Sequence, residues 1–451
     1  MTHPTINEQS QRLIRGETTS RKLIEESLAR IADPEYEGAR AFLTVYADRA
    51  RAEADAVDTA RAKSQALPRF AGVPLSIKDL FDVEGEATRA GSPALAGAPP
   101  AKADAETVVF ARRAGFVIVG KTNITEFAFS AFGVNPHYGS PRSPWDRARG
   151  HIPGGSTSGG AVSVADGMTS ATLGTDTGGS CRVPAAFCGI VGFKPTQCRV
   201  SRSGVLPLAP SLDSVGPLAN SVSCCAALDS ILSGSADYNE FPLPSASLTI
   251  GVIKGYVDER LDSSVATAFA AALTRLAKTG AKLKEIRLPE VEELPHINRN
   301  GTLVEFEAFA THRARLETSG AQIDPWVRGR LEGGRGKTAA DYIDLLNDRR
   351  RIRAALDERT RRFDALALPT AAIAPPALDE LGEGAESRAL NALVLRNAAI
   401  ANFLDRPAIS IPCHGPDKAP VGFMLMGETG GDRRLFDAAR GLEEAVRGAR
   451  A

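Results

Sequence analysis

The sequence predicts an α/β fold, a large β-sheet core flanked by helices on both faces. Three observations carry this. Apolar runs of strand length alternate with segments of helical periodicity along most of the 451 residues. Two strand-like runs, 70–80 (FAGVPLSIKDL) and 115–120 (GFVIVG), bracket a helical run at 105–114, a β-α-β alternation. Hydrophobic content of 43% against 24% charged residues is enough for a substantial core. No internal repeat or low-complexity tract is present, so residues 1–451 are expected to form a single domain.

Residues 1–65 form the expected N-terminal helical segment. Leu13, Leu23, Ile24, Leu28 and Ile31 recur at spacings near three and four, and Thr18-Thr19-Ser20 is a helix start signal. The Ala and Arg content of 47–60 favours helix. After the two strands, a helix is expected over 161–167. The turn-rich stretch 234–248 (GSADYNEFPLPSASL) reads as a connector. A strand at 248–253, an amphipathic helix at 262–278 and a strand at 282–288 follow. Long helices are expected at 303–317 and 339–362, separated by GRLEGGRGK. Strands at 363–369, 408–412 and 421–426 complete the pattern. The order of the strands is not readable from it.

Lys+Arg and Asp+Glu both number 54, so the formal net charge is zero. That balance gives no nucleic-acid footprint. The basic run Arg349 to Arg353 lies among Asp341, Asp344, Asp348 and Asp357 and reads as a solvated, salt-bridged helix face. The N-terminus lacks a signal-peptide pattern, and no window approaches the roughly 18 apolar residues of a membrane span. A cytoplasmic protein with no membrane partner is therefore expected. The six cysteines show no CxxC pair and no histidine at zinc spacing, so reduced core thiols and no metal are expected.

The chemistry concentrates in 149–195, which holds two glycine-rich loops, PGGSTSGG (153–160) and GTDTGGS (174–180). Glycines before a serine let the backbone turn sharply and leave N–H groups bare beside a hydroxyl. Acyl transfer needs such donors in place for the developing oxyanion. A serine also needs a base. His3, His296, His312 and His414 lie outside any glycine-loop context. His137 and His151 are nearer, but no Asp or Glu placement supports a triad. Lys78 is the other option, in a Ser-Lys arrangement. It follows Leu75 and Ile77 in an apolar strand, where burial would favour the neutral amine. The alternative is an edge-strand lysine that discourages aggregation.

Lys78 within GVPLSIKDLFDVEG, the PGGSTSGG loop and GTDTGGSCRVPAAFCGIVGFKPT together resemble the amidase signature family, serine hydrolases of amide bonds. The similarity extends through GFVIVGKTNITEFAFS, SGVLPLAPSLDSVGPLANSV, RPAISIPCH and PVGFMLMGE, from about residue 10 to 440. The resemblance implies a large mixed sheet and a Ser–cis-Ser–Lys catalytic set. Ser180 would be the acylated nucleophile and Lys78 the base. Ser156, 24 positions before Ser180, would be the bridging serine in preference to Ser158, with a cis peptide between Gly155 and Ser156. The N–H groups of Thr177, Gly178, Gly179 and Ser180 would form the oxyanion hole, and Asp176 and Arg182 would brace the loop. No cofactor is implied, and the partner would be a small-molecule amide, with homo-oligomerisation left open. Specificity is expected from roughly 300–340 and 370–400.

Two departures stand out. Ser158 replaces a frequent glycine, and Cys181 a frequent isoleucine. A cysteine nucleophile would need nitrilase-like Glu and Lys partners, which have no counterpart here. The alternative function is the amidase component of a tRNA-dependent amidotransferase. GVLPLAPSLD, and the lack of a tyrosine-rich segment before residue 340, favour a free-standing amidase.

Overall fold

Eleven strands join in one sheet in the computed structural model of the chain, in which residues 3–235 and 241–448 are described. They are β1 (Phe42–Val45), β2 (Pro74–Lys78), β3 (Val117–Thr122), β4 (Ala171–Asp176), β5 (Val191–Lys194), β6 (Ser214–Ala219), β7 (Thr249–Lys254), β8 (Lys282–Arg287), β9 (Ala365–Pro369), β10 (Ala408–Pro412) and β11 (Gly422–Met426). Their spatial order is β1-β3-β2-β4-β6-β5-β10-β11-β9-β7-β8. The sheet is mixed. β3, β2 and β4 are parallel, as are β9, β7 and β8, while the strands between β4 and β9 alternate in direction.

Side-chain alternation sorts the sheet into two apolar faces. Leu75 and Ile77, Ala171 and Leu173, Ile409 and Ile411, and Phe423 and Leu425 share one face. Helices Glu106–Arg113, Val222–Leu232, Ser263–Lys278 and Asp432–Arg447 cover it, through residues such as Val108, Leu228, Phe269 and Leu442. On the opposite face, Val117 and Val119 pack against helices Ser20–Ala32, Ala47–Ala62 and Ser158–Ala165. Met424, Leu366 and Leu368 pack there against helices Ala339–Thr360 and Gly384–Leu404. Helices on both faces are as expected. No helix among the described residues is long and apolar enough to cross a membrane.

Several elements depart from the sequence-based expectation. The pattern does not predict strands β1, β4, β5 and β6, nor the helices Arg182–Cys188, Val222–Leu232, Gly384–Leu404 and Asp432–Arg447. β6 contains Pro217, which argues against an inner strand. It is tolerated because β5 pairs with β6 only at Leu218 and Ala219. The basic run is not uniformly solvated. Arg349 is buried and donates to Phe403 O (2.7 Å) and Asn402 O (3.2 Å), meeting carbonyls at the C-terminal end of helix Gly384–Leu404. Part of the expected 234–248 connector, residues 236–240, lies outside the described residues. Beyond it Ser245–Ser247 forms a short 3-10 turn leading into β7.

Candidate active site

Parallel pairing places Lys78 at the C-terminal end of β2, between β3 and β4. Such strand ends are where open α/β sheets gather their chemistry. The strand is internal, so the edge-strand reading of Lys78 does not hold. Alternation puts Leu75 and Ile77 on one face and turns Ser76 to the other, where its Oγ meets Ser163 Oγ at 3.0 Å on helix Ser158–Ala165. The connection from β3 to β4 crosses this end of β2 and carries the first serine loop with it.

Lys78 is fully buried. Its Nζ lies 2.7 Å from Ser156 Oγ, 2.8 Å from Thr175 Oγ1 and 3.5 Å from Thr175 O. Burial lowers its pKa to about 8, against the opposing influence of Cys181, Asp176 and Asp213. The Gly155–Ser156 peptide is cis. This loop is fixed from several directions: Gly155 N–H donates to Ala131 O (2.6 Å), Thr125 N–H to Ser156 O (3.4 Å), and Thr157 N–H to Ser180 O (3.3 Å). The last bond ties the two serine loops together. Ser158 Oγ instead donates to Asn123 O at 3.4 Å.

Ser180 follows the end of β4 and precedes helix Arg182–Cys188. It is 6% exposed, whereas Lys78 and Ser156 are 0% exposed, so Ser180 is the one of these three residues that solvent reaches. Its Oγ has no hydrogen-bond partner among the described residues. Asp176 organises the turn. Its Oδ1 accepts from Gly179 N–H and its Oδ2 from Cys181 N–H, both at 2.9 Å. Arg182 donates to the same carboxylate through Nη2 (2.9 Å) and Nε (3.1 Å), and Asn402 Nδ2 adds a bond of 2.8 Å. Burial pushes the Asp176 pKa up, but Arg182 and these hydrogen bonds outweigh it and hold the group well below the usual carboxylate range.

Gly179 therefore departs from its expected role. Its N–H is already committed to Asp176, so it is not a free oxyanion donor. Among the described residues, the N–H groups of Thr177, Gly178 and Ser180 have no acceptor. Thr177 is held from its side chain, which donates to Asp213 Oδ1 at 2.6 Å.

The histidines stay apart from this centre. His151 is buried with Nδ1 2.7 Å from Pro375 O and its ring on Trp145, and His137 Nε2 lies 3.5 Å from Glu126. Cys181 is buried, and burial raises its thiol pKa far above the ordinary value. Three participants lie outside the sequence-based expectation: Thr175, Asp213 and Asn402. Thr175 stands inside GTDTGGS, beside Asp176, so its hydroxyl is the one local signal. Asn402 comes from a helix more than 200 positions away in sequence.

A family model described as Amidase matches residues 22–436. The chain is 34% identical over 448 residues to a 2-amino-5-chloromuconic acid deaminase from Comamonas testosteroni, covering 98% of this chain and 96% of that protein. It is also 34% identical over 485 residues to one subunit of the glutamyl-tRNA(Gln) amidotransferase of Synechococcus sp. (strain CC9605), with 98% and 96% covered. The solved peptide amidase from Stenotrophomonas maltophilia superposes with a TM-score of 0.82 at 26% identity, over 99% of this chain and 97% of that one.

Proposed function

The chain belongs to the amidase signature family, enzymes that act on amide C–N bonds, and from that premise we propose that it hydrolyses a small-molecule amide through an acyl-enzyme on Ser180, with Ser156 and Lys78 as the proton relay. One observation carries the reading. Lys78 Nζ has three near neighbours, and two of them are oxygens of Thr175. A neutral amine has two protons and one lone pair. It can donate its two N–H groups in hydrogen bonds to the Thr175 oxygens and turn the lone pair to the Ser156 hydroxyl.

The amine of Lys78 takes the Ser156 proton as Ser156 takes that of Ser180. Ser180 Oγ then bonds to the amide carbon, and the carbonyl oxygen becomes an oxyanion facing the N–H groups of Thr177, Gly178 and Ser180. Collapse restores the carbonyl and breaks the C–N bond, and the proton returns through Ser156 to the departing amine or ammonia. Water attacks the acyl-enzyme by the same relay and releases the carboxylic acid and Ser180. Every proton removed is returned within the cycle, so no net charge accumulates.

The similarity to a component of an amidotransferase supports a second reading, in which the same serine releases ammonia for a partner protein. The two separate by whether turnover needs a partner. The test is ammonia release from a panel of primary amides by the purified chain alone, with peptide mapping of a fluorophosphonate adduct. Turnover that vanishes in Ser180→Ala, with the adduct on Ser180, is the expected result. Full turnover in Ser180→Ala overturns the assignment, and turnover only on addition of a partner favours the second reading.

A further inference from the structure

We infer that Asp213 is a positioning residue for the Ser180 reaction: it fixes the Asp176–Thr177 peptide with its N–H toward the oxyanion, and its negative charge sets the pH at which Lys78 becomes a base. This rests on the Ser180 reading and adds to it how the relay and the oxyanion loop are tuned together.

Strand register brings Asp213 to the loop. β4 and β6 are antiparallel, with Asp176 at the end of β4 paired to Ser214 at the start of β6. One step beyond that pair, Thr177 Oγ1 donates to Asp213 Oδ1 at 2.6 Å. Ser214 Oγ donates to Asp176 O at 3.0 Å, and Asn402 Nδ2 to the same carbonyl at 3.3 Å. The carbonyl and the N–H of a trans peptide point opposite ways, so these donors aim the Thr177 N–H to the other side. The side-chain bond to Asp213 holds that peptide from its other end. Packing does not do this alone, because Thr175, Thr177 and Asp213 all line a cavity of about 260 Å³. Contacts are missing on that side, which leaves the hydrogen bond to fix the Thr177 rotamer. Asp213 is itself anchored: Leu208 N–H (2.9 Å) and Ala209 N–H (3.1 Å) donate to its Oδ2. Ser211 of the same loop donates to Glu307 through N–H (2.8 Å) and Oγ (2.5 Å).

The same carboxylate acts on Lys78. Cys181, Asp176 and Asp213 are the groups whose charge favours the Lys78 ammonium. The nearest partners of Lys78 Nζ, on Ser156 and Thr175, are uncharged oxygens. Burial keeps Cys181 a neutral thiol, and Asp176 is paired with Arg182 at 2.9 Å. Asp213 makes no ion pair with any described residue. The field of Arg202 reaches it, but that guanidinium donates to Pro210 O. Burial pushes the Asp213 carboxyl up from its ordinary value, against Thr177, the Ala209 and Leu208 N–H groups and Arg202. Asp213 is thus the carboxylate facing Lys78 whose charge no bound cation offsets, and it stabilises the ammonium that forms as the relay turns.

The test follows phosphonylation of the full chain by ethyl butylfluorophosphonate from about pH 6 to 10. Ser180 Oγ bonds to phosphorus, fluoride leaves, and the Ser180 proton passes through Ser156 to Lys78, so the rate reads the relay and the oxyanion loop together. Thr177→Val should lower the maximal labelling rate at least about fivefold, toward the 10²–10³-fold of losing an oxyanion donor outright. Reagent affinity should stay within about twofold and the pH midpoint should stay put. Thr177→Ser keeps the hydroxyl, so its rate should lie nearer the unaltered chain than Thr177→Val. Asp213→Asn should slow the maximal rate and move the midpoint down by at least about 0.3 pH unit, because the ammonium loses an anion that favours it. A smaller loss in Thr177→Val, Thr177→Ser as slow as Thr177→Val, or a midpoint that holds or rises in folded Asp213→Asn each overturns the inference. Asp213→Ser, also neutral, reads the midpoint if Asp213→Asn does not fold, and the Thr177 pair decides if neither folds. No adduct on Ser180 in the unaltered chain would instead overturn the Ser180 reading, so the two failures are told apart.

Discussion

Asp176 grips the backbone on both sides of Ser180, accepting the N–H of Gly179 with one oxygen and that of Cys181 with the other. Ser180, the proposed nucleophile, therefore sits in a turn pinned before and after it. Gly179 sits at φ +136°, and a Cβ there would meet Ala398 at 2.8 Å, so the turn also needs glycine. Arg182 holds the carboxylate in place and spends its remaining donors on Ala398 O (2.8 Å), Asn402 Oδ1 (2.6 Å) and Met424 Sδ (3.2 Å). Helix Gly384–Leu404 is thereby locked to the loop that carries Ser180.

Removing one partner of this fully buried pair strands the other. Asp176→Asn or Arg182→Met should each lower stability by roughly 3–5 kcal/mol. The double variant should cost less than the sum, because both changes remove one interaction. Denaturant midpoints for the three variants give the comparison. An unchanged midpoint together with full activity in Asp176→Asn would show that the carboxylate does not brace the loop.

In the proposed relay the active form of Lys78 is the amine, and its pKa is lowered by burial to about 8. Below that pH the ammonium dominates and the relay lacks its base. The rate at saturating amide should fall about tenfold per unit well below pH 8 and level off above it. Thr175→Val removes an oxygen that favours the ammonium, so its midpoint should move to lower pH while the plateau drops. A profile that declines steadily from pH 6 to 9 on a folded enzyme contradicts a lysine base.

What the sequence reveals and what it hides divide along a physical line. Lys78, Ser156 and Ser180 stand out in the sequence because glycine-rich turns and an apolar strand are local signals, and the contact of Lys78 with Ser156 agrees with that reading. Thr175 does not stand out in the sequence because its part depends on the β2–β4 register, with Ile77 beside Leu173, which no local pattern encodes. β4 reads ATLGTD, small and threonine-rich, and runs into the glycine loop, so its strand character is masked. Gly179 illustrates the opposite limit. Its place in the loop is readable, but the acceptor that takes its N–H is a side-chain rotamer. Arg349 is misread from sequence for a related reason: its charged neighbours are sequential, whereas the carbonyls it meets are more than 50 positions away.

Ser156 and Ser158 can be separated by function. Ser156 Oγ faces Lys78, and Ser158 Oγ faces the Asn123 carbonyl. Ser156→Ala should cost at least roughly 10²-fold in kcat, the lower end of general acid–base effects. Ser158→Ala should cost far less, since it removes one long hydrogen bond. Reversed losses would move the relay to Ser158.

Cys181 gives the sharpest control on the nucleophile. Its sulfur is buried and donates to Gly216 O at 3.6 Å, a contact with the neighbouring strand β6. Burial disfavours the thiolate, so the group is poorly suited to attack a carbonyl. What the loop needs from this residue is its N–H, which Asp176 accepts. Cys181→Ala keeps that N–H and a small side chain. It should retain activity within about tenfold, or at most roughly 1.4 kcal/mol of barrier, with a modest stability loss for the missing sulfur. Inactivation by a thiol reagent would decide nothing, because a bulky adduct would disturb the turn that presents Ser180. Peptide mapping of the fluorophosphonate adduct in Cys181→Ala decides it. Label on Ser180 with activity retained is expected. A folded variant that is inactive, with Ser180 unlabelled, would transfer the nucleophile to the cysteine.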